Sequence, residues 1–243
     1  YSSASIALSM ARAVEIEKKS NPMLWNIVEN LCIGAGLPMP KVYVTPERQI
    51  NAFATGRDPK HAAIAVTAGA LERLDKTELQ GVIAHELSHV GNRDILVSTV
   101  AAVLAGIISL IADIFLRSLF FSGMGGGRSR ENDRGGELFF IIAIVLSILA
   151  PIGTVMIQFA ISRRRESLAD ASSVLLTRYP EGLISALRKI GQDKTPMTTA
   201  RDSTAHMWID NPFKGRRISW WQKLFMTHPP IEERIVALEK ISV

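Results

Sequence analysis

Two long uncharged segments constrain the fold of this chain more than any other feature. Residues 95–112 form a run of 18 residues and residues 138–162 a run of 25, and neither run contains a charged side chain. A helix needs about 20 predominantly apolar residues to cross the hydrocarbon core of a bilayer. The pattern favours a transmembrane helical hairpin over two helices buried in a soluble core, because a domain this small has little room to cover both on every side.

The composition agrees with a membrane partner. Hydrophobic residues make up 47% of the 243 residues, and the formal net charge is +5. A basic chain usually binds nucleic acid or an anionic membrane surface. Since no nucleic-acid motif accompanies the charge, we expect a lipid bilayer as a partner and no nucleic acid.

The hairpin divides the chain into three segments. We predict that residues 1–94 and 163–243 are the two parts of one domain and that residues 95–162 are inserted between them. The connection within the insert is rich in glycine and mixed charges, which is typical of a flexible polar loop.

Short elements of both types are predicted before the first apolar run. Apolar periodicity predicts an N-terminal helix through about Lys19 and a second helix that stops at Gly34–Gly36. Residues 41–45, 50–55 and 62–67 are extended candidates, separated by Pro, Gly and charged residues, and they predict a small sheet.

The sequence HELSH at residues 85–89 lies on a helix that we predict to start at Thr77. On a helix, His85 and His89 project from one face one turn apart and can chelate one metal ion. A bound ion polarises water, and Glu86 can accept its proton during attack on a carbonyl and return it to the leaving amine. A helix can also carry this pattern by chance, so the pattern alone favours zinc without requiring it.

A catalytic zinc site needs a third protein ligand. Glu166 and Asp170 lie one helical turn apart after the second apolar run. Glu166 as a ligand and Asp170 as the acceptor for a ligand imidazole would come from one helix face. The spacing leaves open the alternative that both are solvated acids on an amphipathic helix.

Taken together, these motifs resemble the HtpX-type membrane metalloproteases, which are similar to the larger CAAX prenyl endoproteases in their active-site motifs. The resemblance covers essentially the whole chain in order. It rests on the paired apolar runs and on four stretches: NAFATG (51–56), AIAVTAGALERLDKTELQGVIAHELSHVGNRD (63–94), RRRESLADASS (163–173) and THPPIEERI (227–235).

The resemblance implies an α+β fold, mostly helical, with a zincin-like protease domain, a small β-sheet and the inserted hairpin. It implies one Zn²⁺ held by His85, His89 and Glu166, with Glu86 as general base and acid. It also implies a bacterial inner-membrane enzyme that hydrolyses peptide bonds of misfolded or damaged membrane proteins in quality control and stress response.

Two further motifs receive roles in the light of this resemblance. Residues Asn51, Ala52, Phe53 and Ala54 alternate as an edge strand does, and a peptide substrate can add to such an edge through main-chain hydrogen bonds. The same residue pattern is also compatible with an ordinary core strand. His228 can donate to the oxyanion formed on attack, although a histidine before Pro-Pro is more often a capping or packing residue.

The basic residues indicate the orientation of the hairpin. Near its metal-side ends lie Lys76, Arg93, Arg163, Arg164, Arg165 and Arg178, whereas the other side carries Arg117, Arg128, Arg130 and Arg134. This bias favours a metal domain that faces the cytoplasm. We therefore expect an integral membrane zinc endopeptidase. A non-catalytic adaptor and a metal-dependent hydrolase of small amides or lipids are the alternatives.

Overall fold

A small mixed β-sheet organises the N-terminal part of the chain. The computed structural model describes residues 2–124, 149, 153, 156, 160–199, 201, 204–214 and 229–241. Within these residues the strands are β1 (Val14–Glu15), β2 (Lys41–Thr45), β3 (Ala52–Thr55) and β4 (Ala63–Thr67). Their order is β1-β2-β4-β3, with β2 and β4 parallel and both outer pairs antiparallel. The three predicted extended segments are confirmed as β2, β3 and β4.

The N-terminal helix is shorter than predicted. Helix α1 (Ser2–Met10) ends well before Lys19, and Arg12 follows with a left-handed φ of 51°. The chain then runs extended, and Val14 pairs with Val44 of β2 while the amide of Ile16 donates to the carbonyl of Val42. The prediction of a helix through about Lys19 is wrong because pairing with the sheet outweighs the helical periodicity in this stretch.

Helix α2 (Pro22–Ala35) has the ends that its sequence predicts. The side chain of Asn21 caps its first turn by accepting from the amide of Leu24, and proline occupies a position in the first turn that needs no amide donor. Gly36, with φ of 65°, ends the helix in the left-handed conformation.

The remaining helices follow the sheet. They are α3 (Ala68–Arg73), α4 (Lys76–Gly91), α5 (Asp94–Met124), α6 (160–177), α7 (Pro180–Gln192) and α8 (Ile231–Glu239). Helix α4 packs against α2, α7 and β3, and α7 also packs against α8. The main core buries four large apolar residues of α4: Leu79, Val82, Ile83 and Leu87. The mostly helical α+β class with a small sheet is therefore confirmed.

The chain forms two compact units. One unit comprises Tyr1–Leu96 and Ser162–Val243, and the other comprises Val97–Ile161. Among the described residues, Asp94–Ala112 of α5 is the one stretch long and apolar enough to cross a membrane by length and composition. One helix of this kind does not establish a membrane span. The second predicted span, 138–162, falls largely outside the described residues, so the transmembrane hairpin stays a prediction.

Candidate metal centre

Helix α4 is held in place at its first turn. The Asp75 side chain accepts from the amides of Thr77 and Glu78, and the Glu78 side chain accepts from the amide of Asp75. This capping box starts the helix at Lys76, one residue before the predicted start. The buried Glu78 also accepts hydrogen bonds from Lys189 and Ser185 of α7. These contacts fix the direction in which α4 enters the core.

Two helices bring three ligand-type side chains together. Nε2 of His85 and Nε2 of His89 lie 3.1 Å apart. The two carboxylate oxygens of Glu166, on α6, lie 3.5 Å from Nε2 of His85 and 3.4 Å from Nε2 of His89. His85 and Glu166 are buried, and His89 is half-buried. One atom from each residue can face a single metal ion.

The outer nitrogens of both histidines contact carboxylates. Nδ1 of His85 lies 2.9 Å from Oδ1 of Asp170, and Nδ1 of His89 lies 2.6 Å from Oδ2 of Asp94. In the neutral imidazoles these contacts place the proton on Nδ1, so both Nε2 atoms carry a lone pair. The two Nε2 atoms are 3.1 Å apart, a contact that either a proton on one of them or a metal ion bound by both can stabilise. The donor pattern therefore fits a metal.

The spacing of the three donors also fits zinc. Ligands at zinc distances of about 2.0–2.1 Å in tetrahedral geometry lie about 3.3–3.4 Å apart. Here the two Nε2 atoms are 3.1 Å apart, and each lies 3.4–3.5 Å from a different carboxylate oxygen of Glu166. Two imidazoles and one carboxylate form a known catalytic zinc set, which leaves the fourth position for water.

A buried arginine supports the carboxylate behind His85. Nε and Nη2 of Arg234, on α8, donate to Asp170 at 3.0 and 2.7 Å. Burial raises the pKa of Asp170, but Arg234 and His85 outweigh this effect and hold that pKa well below its usual range. Asp170 therefore stays ionised behind its histidine.

The same charges act on His85. Burial and Arg234 lower the pKa of His85, but Asp170 and Glu166 act more strongly together and raise it to about 9. Because a metal ligand must be deprotonated, metal binding has to release this proton.

Glu86 is buried in the same helix beside the ligand residues. Burial lowers the pKa of Arg234, whereas the carboxylates of Asp170, Glu166 and Glu86 raise it. Glu86 therefore lies close enough to Arg234 to raise the pKa of its guanidinium. Its predicted role as a proton acceptor stays a prediction.

The predicted substrate edge is partly covered. The Asn51 side chain is buried, donates to the carbonyl of Asp210 at 2.9 Å and accepts from the amide of Asp210 at 3.3 Å. The carbonyl of Ala52 accepts from the amide of Ile209, and Phe53 packs edge-on against Trp208. Asn51, Ala52 and Phe53 therefore contact the 208–210 segment, and Ala54 is the half-buried residue of the four.

The structure adds three residues that the sequence reading missed. Asp94 contacts His89 and forms an ion pair with Arg165, while Arg234 holds Asp170. An acid five residues beyond the second histidine was the available signal for Asp94. His228, the predicted oxyanion donor, lies outside the described residues.

Known proteins resemble this chain over nearly its full length. The sequence model of peptidase family M48 matches residues 18–242. A protein named "Protease HtpX homolog" from Caldanaerobacter subterraneus subsp. tengcongensis is 52% identical over 239 residues, which cover 98% of this chain and 78% of the relative. A protein of the same name from Lactobacillus helveticus is 49% identical over 243 residues, covering 98% of this chain and 80% of that protein.

One solved structure supports the fold. The crystal structure of S. mikatae Ste24p superposes with a TM-score of 0.58 at 20% sequence identity. The match covers 97% of this chain and 56% of the Ste24p chain. At this identity the match is evidence for a shared fold.

Proposed function

Because this chain belongs to peptidase family M48 and is a metallopeptidase, we propose that it is a membrane-bound zinc endopeptidase that cleaves membrane proteins. The resemblance to HtpX-type proteases is confirmed by the relatives. The observation that carries the zinc proposal is the convergence of His85, His89 and Glu166, whose potential ligand atoms all lie within 4.8 Å of one another.

In the proposed mechanism His85, His89 and Glu166 hold the zinc. When bound, the zinc supplies Lewis acidity that activates a water molecule and polarises the scissile carbonyl. Glu86 accepts the proton of the attacking water and delivers it to the leaving amine. Asp170 keeps Nδ1 of His85 protonated and the ring oriented, so that its Nε2 is available as a ligand.

The substrate is proposed to bind beside Ala54 of β3. The amide of Thr67 on β4 donates to the carbonyl of Asn51, so the alternation of an antiparallel pair directs the main-chain groups of Ala52 and Ala54 away from β4. Ile209 already donates to the carbonyl of Ala52. An extended peptide that adds to this edge therefore pairs with Ala54. His228 is proposed to stabilise the oxyanion.

The membrane assignment rests on α5. This helix begins at Asp94, five residues after His89, and continues directly into the apolar stretch that reaches Ala112. A metal centre so close to the start of an apolar helix favours substrates at the bilayer surface. We place the enzyme in the bacterial inner membrane with its metal centre on the cytoplasmic side, where it acts on misfolded or damaged membrane proteins.

A single carboxylate substitution tests this function. Glu86→Gln in the full chain, purified in detergent, should keep its zinc but lose about 100-fold or more of its activity on a denatured protein substrate, because the general base is removed. Glu72→Gln, an exposed glutamate on α3, is the matched control and should retain full activity. Undiminished turnover by Glu86→Gln would overturn the mechanism.

A further inference from the structure

Asp94 contacts both a proposed zinc ligand, His89, and an arginine, Arg165. Its Oδ2 atom lies 2.6 Å from Nδ1 of His89, and its carboxylate forms an ion pair with Arg165. Nη2 of Arg165 also donates to the carbonyl of Asn92 at 2.9 Å. Asp94 is buried, and the Arg165 side chain is largely removed from solvent. The pair is thus sheltered from the water that weakens surface ion pairs.

The backbone between α4 and α5 directs Asp94 back towards His89. Helix α4 ends at Gly91, and α5 begins at Asp94. Between them Arg93 has a left-handed φ of 55°, a conformation that costs energy in residues other than glycine. Such conformations persist where the surrounding contacts determine them. The contacts of Asp94 with His89 and Arg165 are contacts of this kind.

Both ligand histidines are supported in the same way. Nδ1 of His85 contacts Asp170, which pairs with Arg234, and Nδ1 of His89 contacts Asp94, which pairs with Arg165. Arg234 also lies 3.3 Å from Nε2 of His85. In each series the carboxylate holds the proton on Nδ1, and the guanidinium offsets the cost of a buried carboxylate. The series behind His89 has a further property: Asp94 precedes and Arg165 follows the inserted segment Val97–Ile161 in the chain.

We infer that Asp94 and Arg165 are positioning residues that orient His89 for the metal and hold together the two chain segments that precede and follow residues 97–161. The inference rests on the proposed zinc site of His85, His89 and Glu166. It implies that metal affinity depends on contact between the first residue of α5 and the helix that follows the insert. Arg165 acts on the metal only through Asp94.

The test measures zinc affinity and ligand geometry in the full chain in detergent. Zinc affinity is obtained by competition with a chromogenic chelator, and geometry from the visible absorption of the Co²⁺-substituted protein. Asp94→Asn, which keeps the size of the side chain and removes its charge, should weaken zinc binding about 10- to 100-fold. It should also shift the Co²⁺ spectrum, which a purely structural role would leave unchanged.

A double-mutant cycle tests whether Arg165 acts through Asp94. Arg165→Met should weaken zinc binding, and the double variant Asp94→Asn/Arg165→Met should bind zinc no more weakly than Asp94→Asn alone. Arg164→Met, an exposed neighbour on the same helix, is the matched control and should bind zinc as the wild type does. If Asp94→Asn does not fold, Arg165→Lys must retain more affinity than Arg165→Met, because lysine keeps the charge.

Three outcomes are distinguishable. Wild-type affinity and an unchanged Co²⁺ spectrum in Asp94→Asn would overturn the inference and leave the zinc site standing. Fully additive effects in the double variant would overturn the role of Arg165. A wild-type protein that binds no metal would instead overturn the proposed function.

Discussion

The close contact between α4 and α7 allows a test of how α4, the helix that carries His85 and His89, is positioned. Gly81 of α4 faces the start of α7, where Gly182 and Leu183 lie. A Cβ atom on Gly81 would lie 2.6 Å from the amide nitrogen and 2.9 Å from the Cα of Leu183. Both are backbone atoms, so no side-chain rotation can relieve the contact. Because favourable contacts between such atoms begin near 3.5 Å, Gly81→Ala must separate the two helices by about 1 Å.

The expected magnitude follows from two opposing effects. Alanine gains up to about 1 kcal/mol over glycine in a helix interior. Overpacking of a close contact costs about 1–3 kcal/mol or more, and here the clash is with rigid backbone. We expect Gly81→Ala to lower the free energy of unfolding by about 1–2 kcal/mol, which corresponds to a decrease in melting temperature of roughly 2–8 °C for a chain of this size.

The same displacement should reach the metal site. Helix α4 carries His85 and His89, whereas Glu166 lies on α6, which is joined to α7 by only two residues, 178 and 179. Metal–ligand distances tolerate about 0.2 Å, so a shift of about 1 Å between these helices should also weaken zinc binding.

Gly91→Ala is the matched control for this prediction. Gly91 lies at the end of the same helix, and a Cβ atom there would meet the Leu37 side chain at 3.5 Å, an ordinary contact. Its melting temperature should equal or slightly exceed that of the wild type. The assay is thermal unfolding of the metal-free proteins, followed by zinc competition. A Gly81→Ala protein that melts and binds zinc as the Gly91→Ala control does would refute the reasoning.

Two further predictions concern acid stability and the substrate edge. Burial raises the pKa of Asp193, but donors from Arg73, Ile50 and Thr195 outweigh it and hold that pKa well below its usual range. The stabilisation from the ionised carboxylate is therefore present above the unfolded-state pKa of about 4 and is lost as the pH falls towards the lower folded-state value. Asp193→Asn should reduce the decrease in melting temperature between pH 5 and 2. An unchanged dependence of melting temperature on pH would contradict this prediction. Ala54→Pro removes an outward amide and should lower kcat/KM about 3- to 10-fold without changing zinc affinity, whereas unchanged peptidase kinetics would exclude pairing at this residue.

The sequence predicted the elements whose signals are local. One continuous segment contains both the spacing of His85 and His89 and the helical recurrence of the buried Leu79 and Ile83. The structure places all four residues on α4. Glu166 and Asp170, one helical turn apart in the sequence, are both buried on α6, which excludes the alternative of two solvated acids. The family resemblance rests on several such segments in order, and the match to peptidase family M48 over residues 18–242 confirms it.

The remaining features depend on residues far apart in the chain. Arg234 meets Asp170 across 64 residues, and Asn51 meets Asp210 across 159 residues. No periodicity encodes such pairs, since tertiary packing alone brings them together. For this reason the open edge expected at Asn51 is covered by the 208–210 segment, and the supporting arginines were not identified. The short strand β1 was missed because its two residues form a strand only through β2.

The central claim is that His85, His89 and Glu166 together hold one zinc ion. It is tested most directly by the zinc affinity of the full chain compared with Glu166→Gln, with Glu72→Gln as the surface control. Removing a supporting residue alone costs about 10- to 100-fold in metal affinity, so loss of the ligand itself should cost at least as much. The account predicts one zinc per chain in the wild type and the control, and a loss of at least that size in Glu166→Gln. Equal affinity in all three proteins, or a wild type without zinc, would contradict it.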